Sequence, residues 1–143
     1  MENLLKSFAT KIAGSALASD VGGRIWLDEY QDDPPIVYPY IIYFNVVGNP
    51  DNVFVKNGES YLFQFSLFSA ERELTEITTM LKDLKALFDD CSMTIPPTGT
   101  VTDRLEWCKR GSLQTMTDKI TTAQGTAKVK HWSQEYEITT QKT

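Results

Sequence analysis

Between residues 61 and 88 the chain reads YLFQFSLFSAERELTEITTMLKDLKALF, and its apolar period changes there from two to about 3.6. Tyr61, Phe63, Phe65 and Leu67 fall on one face of an extended segment, with Leu62, Gln64, Ser66 and Phe68 on the other. Leu74, Ile77, Leu81, Leu84 and Phe88 then recur at intervals of three and four, which is a helical stripe. Ser69 is placed to cap that helix, and Glu71 and Glu73 suit the positive end of its dipole. Burying such side chains stabilises the fold by roughly 1.5–3 kcal/mol each, which is why a stripe this regular faces a sheet or another helix.

The flanking segments supply the rest of the sheet. YIIYFNVV at 40–47 is β-branched and aromatic almost throughout, which predicts a central strand covered on both faces. Arg24 to Leu27 reads as a short strand, and Asp32-Asp33-Pro34-Pro35 as an exposed loop, since consecutive prolines remove donors and fix φ. Residues 3–18 place Leu5, Phe8, Ile12 and Ala16 on one side of a first amphipathic helix, closed by Gly22 and Gly23. Pro96-Pro97-Thr98-Gly99 marks a second irregular connection. Beyond it, Leu105 to Lys109 alternates as a strand with Leu105 and Trp107 inward, and Gly111 suggests a bulge. The last strand runs from Ala127 to Thr139, with Trp132, Tyr136 and Ile138 on one face and residues 117–125 as the loop before it. The order α-β-β-β-α-β-β contains hairpins and no repeated βαβ unit. It predicts an α+β fold: an antiparallel-dominated mixed sheet with two amphipathic helices packed on it. At 143 residues with 41% apolar, residues 1–143 are expected to form one domain around one core.

Charge and composition narrow the function classes. Fourteen Lys and Arg against nineteen Asp and Glu give a net charge of −5, which opposes the phosphate neutralisation that nucleic-acid coating demands. No stretch reaches the run of about eighteen apolar residues that a membrane span needs, and the opening residues lack a charged-then-apolar leader pattern. The expectation is assembly in a reducing cytoplasm, with Cys91 and Cys108 reduced and structural because they lack CxxC spacing.

Catalytic patterns are weak. His131 is the sole histidine, so a nucleophile–histidine arrangement has one possible base, and neither cysteine flanks it. The bland alternative is a strand histidine opposite Trp132. One histidine with two scattered cysteines supplies no structural zinc site. Asp28, Glu29, Asp32 and Asp33 cluster near a turn, and Asp89 with Asp90 forms a second acidic pair, but no DxDxDG loop is present and solvated acidic loops are commoner than carboxylate dyads. Gly22-Gly23 belongs to neither GxGxxG nor GxxxxGK[ST] and reads as a helix C-cap. No catalytic residue, metal or cofactor is expected.

The segment 48–58 is different. Gly48-Asn49-Pro50-Asp51-Asn52 and Asn57-Gly58 are turn signals around Val53, Phe54 and Val55, so the segment is a protruding connection or a short hairpin arm. Apolar residues at such a tip either meet a partner or fold back on their own sheet, and both readings stand. Asn49, Asp51, Asn52, Val53, Phe54, Val55 and Asn57 are the candidate partner-binding residues.

Taken in order, the N-terminal helix, VGGRIW at 21–26, YPYIIY at 38–43, the run at 61–88 and the closing Trp-containing strand resemble the tail-completion or tail-terminator proteins of long-tailed bacteriophages. The resemblance covers most of the chain and is one of pattern and order, carried by no invariant catalytic motif. It is strongest where the aromatic strand ending in Phe68-Ser69 feeds the Leu74–Leu84 stripe, and the Pro96-Pro97 connection departs from the family's usual length. What it implies is a structural virion protein, not an enzyme. Such proteins form a homo-oligomeric ring, typically a hexamer, at the head-proximal end of the tail. The ring terminates the tail tube and joins it to the head, so the implied partners are the tail-tube protein and a head-closure or neck protein. DNA passes through the ring without sequence-specific binding, and no membrane is involved. Other virion connectors, such as a neck protein or a tail-tube subunit, and a small ligand-binding or hydrolase domain using residues 28–33 with His131, are the alternatives.

Overall fold

In a computed structural model of the protein, the described residues are 2–53, 56–89, 95, 103–122 and 125–142, with backbone placement alone for 47–53, 56–58, 103, 104, 106, 122 and 142. The predicted first helix is two helices. α1 (Glu2–Ile12) and α2 (Ala16–Asp20) are separated by Gly14, which sits at φ +72°. The side chain of Ser15 starts α2 by accepting the amide of Ala18 at 3.2 Å. The stripe of α1 is Leu4, Phe8 and Ile12, and Leu17 of α2 continues it, while Ala16 is exposed.

Five strands form one mixed sheet in the order β1-β2-β3-β5-β4: β1 (Ile25–Leu27), β2 (Tyr40–Val53), β3 (Lys56–Ser69), β4 (Asp103–Thr122) and β5 (Gly125–Lys142). β1 runs parallel to β2, and every other pairing is antiparallel, so the α+β reading holds. β3 is the central strand. β2, expected there, lies one place toward the edge, though it is covered on both faces from Tyr40 to Tyr43.

Helix α3 (Thr75–Phe88) follows β3, but not directly. Ser69 still belongs to β3, where its hydroxyl donates to Glu76 Oε1 at 2.6 Å and accepts the amide of Glu71 at 3.3 Å. It therefore ties the 70–74 connection to the helix instead of capping it, and Glu71 and Glu73 precede the first turn. Leu74 is 56% exposed, and the buried stripe is Ile77, Met80, Leu81, Leu84 and Phe88.

The three helices of the described residues cover one face of the sheet. Phe8 is the hub of the core, with its ring 4.7 Å from Phe63, 5.4 Å from Phe88 and 6.2 Å from Tyr43, all edge-to-face. Such contacts add about 0.5–1.5 kcal/mol each to the area they bury. Tyr61, Phe63, Phe65 and Leu67 all point into this layer, as their spacing predicts.

Two bulges in β4 decide which of its side chains face inward. A register shift between Leu105 and Trp107 reverses the alternation, so Cys108 is 1% exposed and Trp107, expected inward, is 42% exposed. The second shift, between Arg110 and Leu113, spans Gly111 as anticipated, and Gln134 Nε2 donates to the freed carbonyls of Gly111 (3.0 Å) and Ser112 (3.3 Å).

Candidate functional site

The two hairpins extend past the central ladder in opposite directions. β3 pairs with β5 from Gly58↔Gln141 to Ser69↔Lys130. β2 and β3 continue beyond it at one end, through Asn52↔Asn57 to Val53↔Lys56. β4 and β5 continue at the other, through Thr117↔Lys130 and Ile120↔Ala127 to Thr122↔Gly125.

The first arm is the predicted 48–58 hairpin with a shifted turn. Asn49, Pro50, Asp51, Asn52 and Val53 pair in β2 with Ser60, Glu59, Gly58, Asn57 and Lys56, so the GNPDN turn signal is absorbed into a strand. Candidate residues Asn49, Asp51, Asn52, Val53 and Asn57 thus lie on the ladder of this arm, while Phe54 and Val55 lie outside the described residues.

The second arm replaces the expected 117–125 loop. Its threonines at 115, 117, 121, 122 and 126 are β-branched, and a strand holds their χ1 at little entropic cost. Gly125 takes φ +116°, open only to glycine, where β5 begins. Residues 109–121 are exposed throughout, including Leu113, Met116 and Ile120.

The helix-free face of the sheet carries an aromatic row. Tyr40, Phe68, His131 and Met116 are register partners on four neighbouring strands. The Tyr40 and Phe68 rings stack at 4.5 Å and 14°, and Trp26, Tyr30 and Tyr38 gather around Tyr40. Burial, then the neighbouring Tyr38, Tyr30 and Asp118, push the Tyr40 phenol up to about 12, so it stays neutral. Arg24 holds the 28–39 connection beside this row, its Nε donating to Pro39 O at 3.0 Å.

Among the described residues, those singled out for chemistry form no shared cluster. His131 Nδ1 lies 3.5 Å from Asp118 Oδ2, and its Nε2 lies 3.4 Å from the Ser133 hydroxyl. Cys108 is on the opposite side of the sheet, its thiol donating to Phe88 O at 3.0 Å, and Cys91 lies outside the described residues. Asp89 accepts the Tyr136 hydroxyl at 2.6 Å and pairs with Arg110 at 3.4 Å, while Asp90 lies outside the described residues. Asp28, Glu29, Asp32 and Asp33 are exposed, and none of them pairs with His131 among the described residues. Among the described residues no group of three or more His, Cys, Asp or Glu is placed to hold a metal ion, and no helix is long and apolar enough to cross a membrane.

The described surface carries two arms, an aromatic row and, between the second arm and the 70–72 turn, a cleft of about 650 Å³ whose polar lining is Glu71, Arg72, Thr117, Lys128 and Lys130. Sequence reasoning located the first arm by its turn residues and missed the second.

No protein-family model matches the chain, and no curated protein matches it. Among solved structures it is similar to a chain of the virion of the native gene transfer agent particle. The likeness has a TM-score of 0.69 at 10% identity and covers 95% of this chain and 92% of that one, which shows a common fold over nearly the whole of both.

Proposed function

We propose that the chain is a structural virion protein of a phage-type tail, forming a ring at the head-proximal end that terminates the tail tube and joins it to the head. The observation that carries this reading is the fold shared end to end with a virion chain at 10% identity, where the sequences alone show no kinship. The order of elements that resembles tail-terminator proteins agrees with that of the folded chain apart from the division of the first helix into α1 and α2. The role asks for surface and not for chemistry, and Asp89, Cys108 and His131 are each held by a partner within the fold.

In this reading the protein sits in the virion as a homo-oligomer, a hexameric ring, between the tail tube and a head-closure protein. The 48–58 arm, with Asn49, Asp51, Asn52, Val53, Phe54, Val55 and Asn57, meets one of those partners. An interface of ordinary size buries about 1,200–2,000 Å² in total, and a closed ring requires two different surfaces of each copy to meet. The overall charge of −5 disfavours sticking of DNA as it passes through.

The test is negative-stain electron microscopy with mass determination of the purified protein, alone and mixed with tail tubes lacking their head-proximal end. Single rings, or one ring on each tube end, are the expected result. Unending filaments would identify a tube subunit instead, and a monomer that ignores tubes under every condition would overturn the reading.

A further inference from the structure

The second arm carries an arrangement that is unfavourable in the isolated chain. Lys119 and Lys128 are direct cross-strand partners, and Lys130, partnered with Thr117, lies on the same face one rung pair nearer the sheet. Like charges placed directly opposite destabilise an antiparallel pair. Arg72 joins them across the cleft. The Lys130 ammonium donates to the backbone carbonyls of Glu71 and Arg72, which carry no net charge, and Lys119, Lys128 and Arg72 form no ion pair among the described residues. Three of the fourteen cations of a chain with net charge −5, Arg72, Lys128 and Lys130, thus line one cleft with Glu71 as the carboxylate among them, and Lys119 stands beside it as the cross-strand partner of Lys128.

The complementary surface is on the same molecule and at the other edge of the sheet. β4 is one edge strand and β1 the other. Leaving β1, the chain runs through Asp28, Glu29, Asp32 and Asp33, all exposed and without an ion-pair partner among the described residues. A basic cleft at one edge and an acidic loop at the other are two different surfaces of one protomer, which is what a head-to-tail contact requires. Matched charge also steers encounter and fixes register between copies.

We propose that the cleft lined by Arg72, Lys128 and Lys130, flanked by Lys119, in one copy receives the acidic 28–33 loop of the next copy, and that this contact closes the ring. The inference rests on the ring reading above and names its interface.

The experiment is a charge swap read by sedimentation velocity and mass photometry, with and without tail tubes. One variant reverses the cleft (Lys119→Glu with Lys128→Glu), and the other reverses the loop (Asp32→Lys with Asp33→Lys). All four positions are exposed, and circular dichroism melting shows whether each variant is folded. Each variant alone should lose association at least tenfold. An equimolar mixture should recover it, because every junction in an alternating assembly again pairs opposite charges. Lys119→Arg with Lys128→Arg should keep association, and raised salt should weaken the wild type. Wild-type assembly with both swaps still associating normally would overturn the contact and leave the ring standing. Loss of duplex-oligonucleotide binding in the cleft variant, with association unchanged, would overturn it in favour of a nucleic-acid surface. A wild-type chain that never associates, even on tubes, would remove the ring and the contact together.

Discussion

The imidazole of His131 lies flat on the phenyl ring of Phe68, with centroids 4.3 Å apart and planes 19° from parallel. The stack follows from register, since Phe68 and His131 are direct partners across β3 and β5. Tyr40 stacks on the other flank of the same ring, so Phe68 holds together three strands on a face that no helix covers. Phe68→Ala should lower unfolding free energy by about 2 kcal/mol, less than for a fully buried phenylalanine because the ring is only half-buried. Phe68→Leu, which keeps apolar volume and loses only the ring, should cost about 1 kcal/mol, and that cost measures the stack itself. Urea unfolding checks both, and an alanine variant as stable as wild type would show that the row carries no packing energy.

Asp20 ends α2 with its Oδ2 buried and facing no hydrogen-bond donor. Burial first, and then a hydrogen bond shared with Asp83 and the repulsion of its charge, raise its pKa from 3.8 to about 6. The folded chain therefore binds this proton more tightly than the unfolded chain does. Its contribution to stability is fully present below the unfolded value of 3.8 and is lost as pH rises through about 6. Between pH 5 and pH 7.5 the wild type should lose stability that Asp20→Asn keeps, and the variant should be more stable at pH 7.5 by about 1 kcal/mol after solvent screening. Parallel melting curves of the two proteins across that range would contradict the shared proton.

Gly22 sits at φ +59°, and a Cβ there would come within 2.9 Å of Arg24 Nη1. Gly22→Ala combines left-handed backbone strain with displacement of the guanidinium that holds Pro39 O. A loss of about 1–2 kcal/mol is expected. Gly23→Ala, with φ +79° and open space around its Cβ, should cost about 1 kcal/mol through the backbone alone. Thermal melts of the pair separate crowding from strain, and equal losses would exclude a role for Arg24.

The first bulge of β4 predicts opposite sensitivity at adjacent residues. Trp107→Ser removes a ring that is 42% exposed, with the Lys109 ammonium 4.4 Å from its centroid, and should change stability by less than about 0.5 kcal/mol. Cys108→Ala removes a buried thiol from the core and its bond to Phe88 O, and should cost about 1–2 kcal/mol. Denaturant midpoints decide it, and the reverse ranking would mean that the strand alternates without a bulge.

The same bulge shows why part of the fold was legible and part was not. The period-two run at 61–67 and the stripe from Ile77 to Phe88 fixed the inner face of β3 and the buried face of α3, because uninterrupted periodicity maps directly onto burial. Periodicity fails where a register shift intervenes, and nothing in Leu105-Glu106-Trp107 announces one. Ser69 misled because hydroxyls serve turns as readily as helix caps, and its real partner, Glu76, is seven residues on. The β4–β5 arm was hidden by its composition: Thr-rich, Gly-terminated sequence reads as loop unless β-branching is weighed above polarity. The cationic cleft needed the pairing itself, since Lys119 and Lys128 become neighbours only through the hairpin register.

The two arms leave the sheet at opposite ends, and β3 and β5 are each continuous from one arm into the central ladder. β5 alone, at 18 residues, spans about 60 Å. A load applied between the two tips draws β3 and β5 past each other along their length, so the hydrogen bonds from Gly58↔Gln141 to Ser69↔Lys130 are strained in parallel and must fail together. Peeled from one end they would break in sequence at far lower force. The chain is thus built as a tie-bar whose grips are at its tips, strongest along the axis that joins them.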